Sequence, residues 1–119
     1  MFGGNGNRYF IGDNGTGSGH TEVHVDRITD GTRLLDVATP WPTYGAGVVE
    51  FGLARFDSDQ YPDLFQTQLN GTGSGLTEEH VLAGYGNFQT PLLDTGIAGV
   101  AQTTTSQWQW VTNRPGYTT

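Results

Sequence analysis

The 119-residue sequence contains no cysteine and no lysine, and only 14% of its residues are charged. Without cysteine, neither a disulfide nor a thiolate metal site can form. The five basic residues are scattered arginines and the net charge is −7, so no basic patch suited to nucleic acid is present. No apolar run approaches the roughly 20 residues of a membrane-spanning helix. We expect neither a nucleic-acid partner nor a membrane span.

The residue sets that most enzymes use are also missing. The chain offers no cysteine or lysine nucleophile, and Gly17-Ser-Gly19 is a turn without the strand-to-helix elbow of a serine hydrolase. Carboxylates are available for glycoside hydrolysis, but no pair stands out from the others. We therefore predict a protein that is not an enzyme.

What the sequence does contain is a repeat. The segment 14–25, NGTGSGHTEVHV, returns as NGTGSGLTEEHV at 70–81, with ten of twelve positions identical at a spacing of 56 residues. A period of this size indicates one supersecondary unit used more than once, as in propellers and solenoids. The two copies span about 1–56 and 57–112, and residues 113–119 form a tail.

Each copy is predicted to be built from short strands. The 19 glycines and many Asn, Asp, Thr and Pro residues separate short apolar runs, and no stretch has the 3.6-residue period of a helix. The clearest unit runs through the middle of the chain and is predicted to have four strands, at 48–55, 63–69, 77–82 and 90–95. Strands joined in sequence by short turns pair antiparallel. The predicted fold is all-β, with each unit a four-stranded antiparallel propeller blade.

The two copies are circularly out of phase. Segment 8–12 stands in the place of strand two, and Gln107–Val111 at the other end stands in the place of strand one. A closed propeller is sealed in the same way, by a blade that both termini share. Because two blades alone leave their faces uncovered, we expect a cyclic homo-oligomer that closes the propeller, with three copies favoured over two or four. These termini also favour an excised or engineered fragment, while a natural short gene stays possible.

The repeated Thr-Gly-Ser-Gly-x-Thr-Glu-Val-His-Val motif, followed by an Asn-Phe-Gln-Thr-x-Leu-Leu segment, resembles the FG-GAP/VCBS repeats of integrin-like β-propellers. It is most similar to the version found in secreted actinobacterial proteins. The resemblance implies an extracellular location, although the first residues of this chain do not form a signal peptide. It also implies binding to carbohydrates or cell surfaces, or adhesion. The alternative is a purely structural propeller fragment that has no ligand.

The segment 57–64 resembles the calcium loop of that family. The resemblance implies that Asp57, Asp59 and Asp63, with the carbonyl of Tyr61, are the ligands of a calcium ion. The first acidic position of the family pattern is Arg55 here, so that a metal-free turn neutralised by this arginine is the alternative. Calcium prefers six to eight oxygen ligands, several of them anionic. In the first copy the matching residues carry no carboxylate, and we expect no ion there.

Other side chains suggest binding or packing. Trp41 and Tyr44 are predicted in the loop that leaves strand four, where an aromatic ring could stack on a sugar or pack beneath the loop. Trp108 and Trp110 share one strand face, which favours packing between blades. His24 and His80 each follow a glutamate by two residues, so each pair lies on one strand face. Because no third metal ligand is evident in the sequence, a structural role is expected for both histidines.

Overall fold

The computed structural model describes residues 6–93 and 98–104, and all regular structure in these ranges is β-strand. The strands are β1 (Asn7–Gly12), β2 (His20–Arg27), β3 (Arg33–Pro42), β4 (Val49–Ala54), β5 (Asp63–Gln68), β6 (Leu76–Leu82), β7 (Pro91–Leu93) and β8 (Ala98–Ala101). No helix in these ranges is long and apolar enough to cross a membrane. The prediction of an all-β fold is confirmed. The segment Gln107–Val111, with Trp108 and Trp110, lies outside the described residues.

The strands form two antiparallel sheets, and each sheet contains one example of the repeated turn and of the strand that follows it. Sheet A has the order β1-β2-β3, and sheet B has the order β4-β5-β6-β7 with β8 also paired to β6. β7 and β8 contact opposite ends of β6, at Val81 and Leu82 for β7 and at Leu76 and Glu78 for β8. Together they take the place along β6 that β3 alone takes along β2. Sheet B therefore follows the predicted four-strand plan, and sheet A contains strands two to four.

The turn that opens each repeat has the same structure in both copies. In the first, the Thr16 hydroxyl donates to the carbonyl of His20 at 2.8 Å. In the second, the Thr72 hydroxyl donates to the carbonyl of Leu76 at 2.6 Å. The glycines at 15, 17 and 19 and those at 71, 73 and 75 all have positive φ, between 64° and 85°. Because side chains disfavour this conformation, the repeated glycines are required by the turn itself.

The main core lies between the two sheets. Val23, Val25 and Leu35 of sheet A cluster with Leu64 and Leu82 of sheet B. Two ring contacts bridge the sheets: Tyr9 meets Phe88 edge-on at 6.5 Å, and Trp41 stacks on Phe51 at 6.3 Å. Val23 and Val25 are fully buried, whereas the intervening Glu22 and His24 are half-buried on the opposite face of sheet A. Glu22 and His24 therefore share one strand face, as their spacing predicted.

Candidate functional site

The loop between β4 and β5 is organised by Asp63, which is fully buried at the start of β5. One of its carboxylate oxygens, Oδ2, accepts the backbone amide of Phe56 at 2.8 Å. The other, Oδ1, accepts the amide of Gly84 at 2.9 Å, which ties this loop to the turn after β6. A buried carboxylate needs such donors, because without them the loss of hydration would be very costly. Asp63 thus holds two loops together.

Asp57 and Asp59 complete an acidic cluster around Asp63. Oδ1 of Asp57 accepts the amide of Asp59 at 3.3 Å, and Oδ1 of Asp59 accepts the amide of Tyr61 at 3.0 Å. One carboxylate oxygen from each of the three aspartates lies within 4.8 Å of the others. Each of these oxygens keeps lone pairs that the amides do not use. The cluster could hold a metal ion, and the structure brings together the three aspartates that the sequence predicted.

No arginine forms an ion pair with this cluster within residues 6–93 and 98–104. Reduced hydration, and then the neighbouring Asp57 and Asp63, raise the pKa of Asp59 above its usual value. Arg55 makes no ion pair with any described residue, so the neutralised turn that the sequence left open is not formed within the described part of the chain. A bound cation would relieve the repulsion among the carboxylates. The backbone amide of Tyr61 donates a hydrogen bond to Asp59. The carbonyl of Tyr61 stays a predicted calcium ligand.

Trp41 does not lie in a loop, and that prediction is wrong. It belongs to β3, where it is 9% exposed and stacks on Phe51. The strand extends through Pro42, whose carbonyl accepts the hydroxyl of Thr21 at 2.7 Å. The alternation of Val37, Thr39 and Trp41 toward the core was the signal that would have predicted this longer strand. The indole of Trp41 therefore packs in the core and does not offer a ring face to solvent.

Tyr44 follows β3 and is half-buried, and burial raises the pKa of its phenol. Its backbone amide donates to the carbonyl of Asp13 at 2.6 Å, and its carbonyl accepts the side chain of Asn14 at 3.2 Å. The second copy has the same pair of bonds, from Thr103 to Leu69 and from Asn70 to Thr103. The backbone of Tyr44 therefore fastens the chain after β3 to the repeated turn.

An aromatic pair, the half-buried Tyr61 and the exposed Tyr85, lies beside the acidic cluster, and the sequence did not indicate that the two rings meet. Tyr61 and Tyr85 are 5.4 Å apart between ring centroids, with the rings tilted by 57°. Tyr85 is 67% exposed, which is the largest exposure among the large apolar side chains of the described residues. Tyr61 belongs to the acidic loop, and Tyr85 follows the glycine bonded to Asp63. Two aromatic rings are thereby presented next to a set of carboxylates.

The repeated Glu-x-His pairs form side-chain contacts on both sheets. Nε2 of His24 lies 2.9 Å from Oε1 of Glu22, and Nε2 of His80 lies 3.3 Å from Oε1 of Glu78. In sheet A a third group joins the pair, since Oδ1 of Asp36 is 3.0 Å from the same nitrogen of His24. The sequence suggested no third ligand. Asp36 is brought to His24 by the pairing of β2 with β3.

No protein-family model, no curated protein and no solved structure matches the chain in comparisons with known proteins. The resemblance to FG-GAP/VCBS repeats therefore stays a prediction from the motifs. The arguments that follow rest on the residues themselves.

Proposed function

We propose that the chain is a non-enzymatic, extracellular β-propeller module whose copies assemble into a closed ring by completing sheet A. The observation that supports this proposal is that the two sheets share the same order of strands but differ in the strands that flank β1 and β5. Both copies have the same turn and the same bonds to the strand that follows, yet β1 has β2 as its one strand neighbour among the described residues. In sheet B the equivalent strand, β5, lies between β4 and β6.

The space where a further strand of sheet A would lie adjoins a cavity of about 200 Å³. Its lining comes from both sheets: Tyr9, Ile11, Phe51, Gly52, Leu53 and Leu64. The Tyr9 hydroxyl is buried and has no hydrogen-bond partner among the described residues, and burial raises its pKa to about 12. Apolar surface left open to water and an unsatisfied buried hydroxyl both lower stability. An incoming strand that brings an aromatic ring and a polar group would relieve both.

The segment Gln107–Val111 of a second copy is the occupant that we propose. It stands in the repeat where β4 stands in sheet B, and Trp108 and Trp110 share one face of its predicted strand. Apolar cavities of about 150 Å³ take up benzene, so this cavity has room for most of an indole ring. When each copy contributes this strand to the next copy, the interface is heterologous. Three copies would then close a six-bladed ring.

Native mass spectrometry over a range of protein concentrations tests the assembly. We expect a cyclic oligomer, a trimer above all, and we expect Trp110→Ala to shift the population toward monomer. Ile28→Ala is the matched control, because Ile28 is 58% exposed and lies away from the cavity. A chain that is folded and monomeric at every concentration, or an unchanged oligomer in the Trp110→Ala variant, would refute the proposal.

Calcium is the ion that we propose for the acidic cluster. Asp57, Asp59 and Asp63 supply hard anionic oxygens, and the Tyr61 carbonyl and water would complete the coordination. Added calcium should raise the melting temperature, and a chelator should reverse that rise. Asp59→Asn should abolish the response, whereas Asp13→Asn, in a different loop, should leave it intact. The same melting temperature with and without calcium would remove the ion from the proposal.

Carbohydrate or cell-surface binding is the second candidate function, and the Tyr61–Tyr85 pair is the observation that favours it. Aromatic faces stack on the apolar faces of sugars, and nearby carboxylates accept hydrogen bonds from sugar hydroxyls. A glycan array probed with the assembled protein should give signals that Tyr85→Ala removes and that Ile28→Ala, at another exposed apolar side chain, retains. An array without any signal at high protein concentration would favour the purely structural module instead.

A further inference from the structure

The exposed face of sheet A carries an unusual contact at His24. Its Nε2 lies 2.9 Å from Oε1 of Glu22 and 3.0 Å from Oδ1 of Asp36. A ring nitrogen carries at most one hydrogen, whether the imidazole is neutral or protonated. That hydrogen can point well at one carboxylate only, so His24 satisfies the second carboxylate less well than the first. A cation at the meeting point of the three groups would bind all of them at once.

The separations of these three atoms match the spacing of ligands around a metal. With ligands at about 2.0–2.1 Å, adjacent ligand atoms are about 3.0 Å apart in octahedral geometry and about 3.3 Å apart in the tetrahedral geometry that zinc prefers. Both distances from His24 are close to these spacings, and all three atoms lie within 4.8 Å of one another. Imidazole nitrogen with carboxylate oxygen is a ligand set for first-row transition ions, because the nitrogen is softer than the ligands that calcium prefers.

We propose that Glu22, His24 and Asp36 form a binding site for a divalent transition-metal ion such as Zn²⁺, open to solvent on its remaining coordination positions. This site goes beyond the proposed function and does not depend on it. It is also distinct from the acidic cluster, which contains only oxygen ligands and belongs to sheet B.

Neighbouring side chains orient the two carboxylates. A hydrogen bond from Ser18, and then one from His24, lower the pKa of Glu22, so that it stays ionised. Arg33 contacts Oδ2 of Asp36 at 3.4 Å, which leaves Oδ1 directed at His24. Arg33 also pairs with Asp26 on β2. Partners of this kind hold metal ligands in place in known sites.

The backbone keeps the ligands together without an ion. Glu22 and His24 lie two residues apart on β2, and Asp36 is the direct partner of His24 on β3. The side chain of Asp36 is 58% exposed, so an ion can reach the site from solvent. Ligands on paired strands need little rearrangement on binding, which limits the entropic cost.

Calorimetric titration of the metal-free 119-residue chain with zinc chloride tests the site. We expect saturable binding, with affinity lowered at least about 10-fold in Asp36→Asn and in His24→Gln, because loss of a first ligand exceeds the effect of losing an outer partner. His20→Gln is the matched control, since this histidine contacts the Trp41 carbonyl away from the cluster. Asp59→Asn should also leave zinc affinity unchanged. Acidifying the buffer should weaken binding, because protons compete for the ligands.

Visible absorption spectroscopy of the same variants tests the site without calorimetry. Cobalt(II) added to the chain should give visible absorption bands that Asp36→Asn shifts or removes. Circular dichroism of each variant monitors the fold, and Asp36→Asn alone decides the outcome if His24→Gln fails to fold, because Asp36 is exposed. Absent zinc binding, or equal affinity in wild type and Asp36→Asn, would overturn the proposal.

Discussion

Gly84 is the position where a single added carbon should do most damage. A Cβ at this residue would fall onto the carbonyl oxygen of Pro62 and would lie 2.9 Å from the carbonyl carbon. Both are backbone atoms, so no flexible side chain can move aside. The amide of Gly84 also donates to the buried Asp63. Gly84→Ala must therefore separate the turn after β6 from the loop before β5.

The expected cost follows from these two contacts. Overpacking at a buried site costs about 1–3 kcal/mol. A hydrogen bond to a charged group contributes about 1.5–3 kcal/mol, and Asp63 has no exposed surface from which to recover water. We expect Gly84→Ala to lower the free energy of unfolding by about 3–5 kcal/mol, against a total of about 5–15 kcal/mol for a typical domain. Such a loss leaves little stability.

Urea denaturation followed by tryptophan fluorescence measures this effect, because Trp41 is buried between the sheets. Protein concentration must be equal in all samples, since assembly would add concentration-dependent stability. Gly45→Ala is the control: its added carbon would meet Val48 at 3.9 Å, an ordinary contact, and should change stability by less than about 0.5 kcal/mol. A Gly84→Ala variant within about 1 kcal/mol of the wild type would refute the close approach to Pro62.

Three further predictions concern the repeated framework and the core. Asn70→Ala should lower the free energy of unfolding by about 2 kcal/mol, because the Asn70 side chain donates to the carbonyls of Gly47 and Thr103. Asn14→Ala loses one exposed hydrogen bond and should cost under about 1 kcal/mol in the same urea assay. Trp41→Ala should lower the free energy of unfolding by about 3–5 kcal/mol, because Trp41 is buried in the core. Glycan binding by this variant should fall only in proportion to the fraction of protein that is unfolded. Burial raises the pKa of Glu79 in the folded protein. The contribution of Glu79 to stability is therefore fully present below the normal glutamate pKa, and it is lost as the pH rises through the folded-state pKa. Glu79→Gln should therefore stabilise the fold at pH 7 and have little effect at pH 4 in paired urea titrations; equal effects at both values would contradict the burial of this charge.

Much of the architecture could be predicted because the signals are local. The spacing of Glu22 and His24 predicted that they share one strand face, and the glycine-rich turn indicated its own conformation because few other residues tolerate positive φ. The three aspartates of the acidic cluster were also found from sequence, since they lie within seven residues on one loop. Trp41 was misplaced because the length of β3 follows from its pairing with β2 as far as His20 and Pro42, which are distant in the sequence.

The sequence by itself determined the repeat, the β-strands and the turn chemistry, all of which depend on residues close together in the chain. The tertiary structure alone decided which distant groups meet. His24 meets Asp36 only through the register of β2 and β3, which shifts on either side of the paired segment. Gly84 meets Pro62, and Tyr85 meets Tyr61, only because Asp63 ties their loops together. Such contacts depend on strand register and loop closure, and neither is encoded in the spacing of residues along the chain.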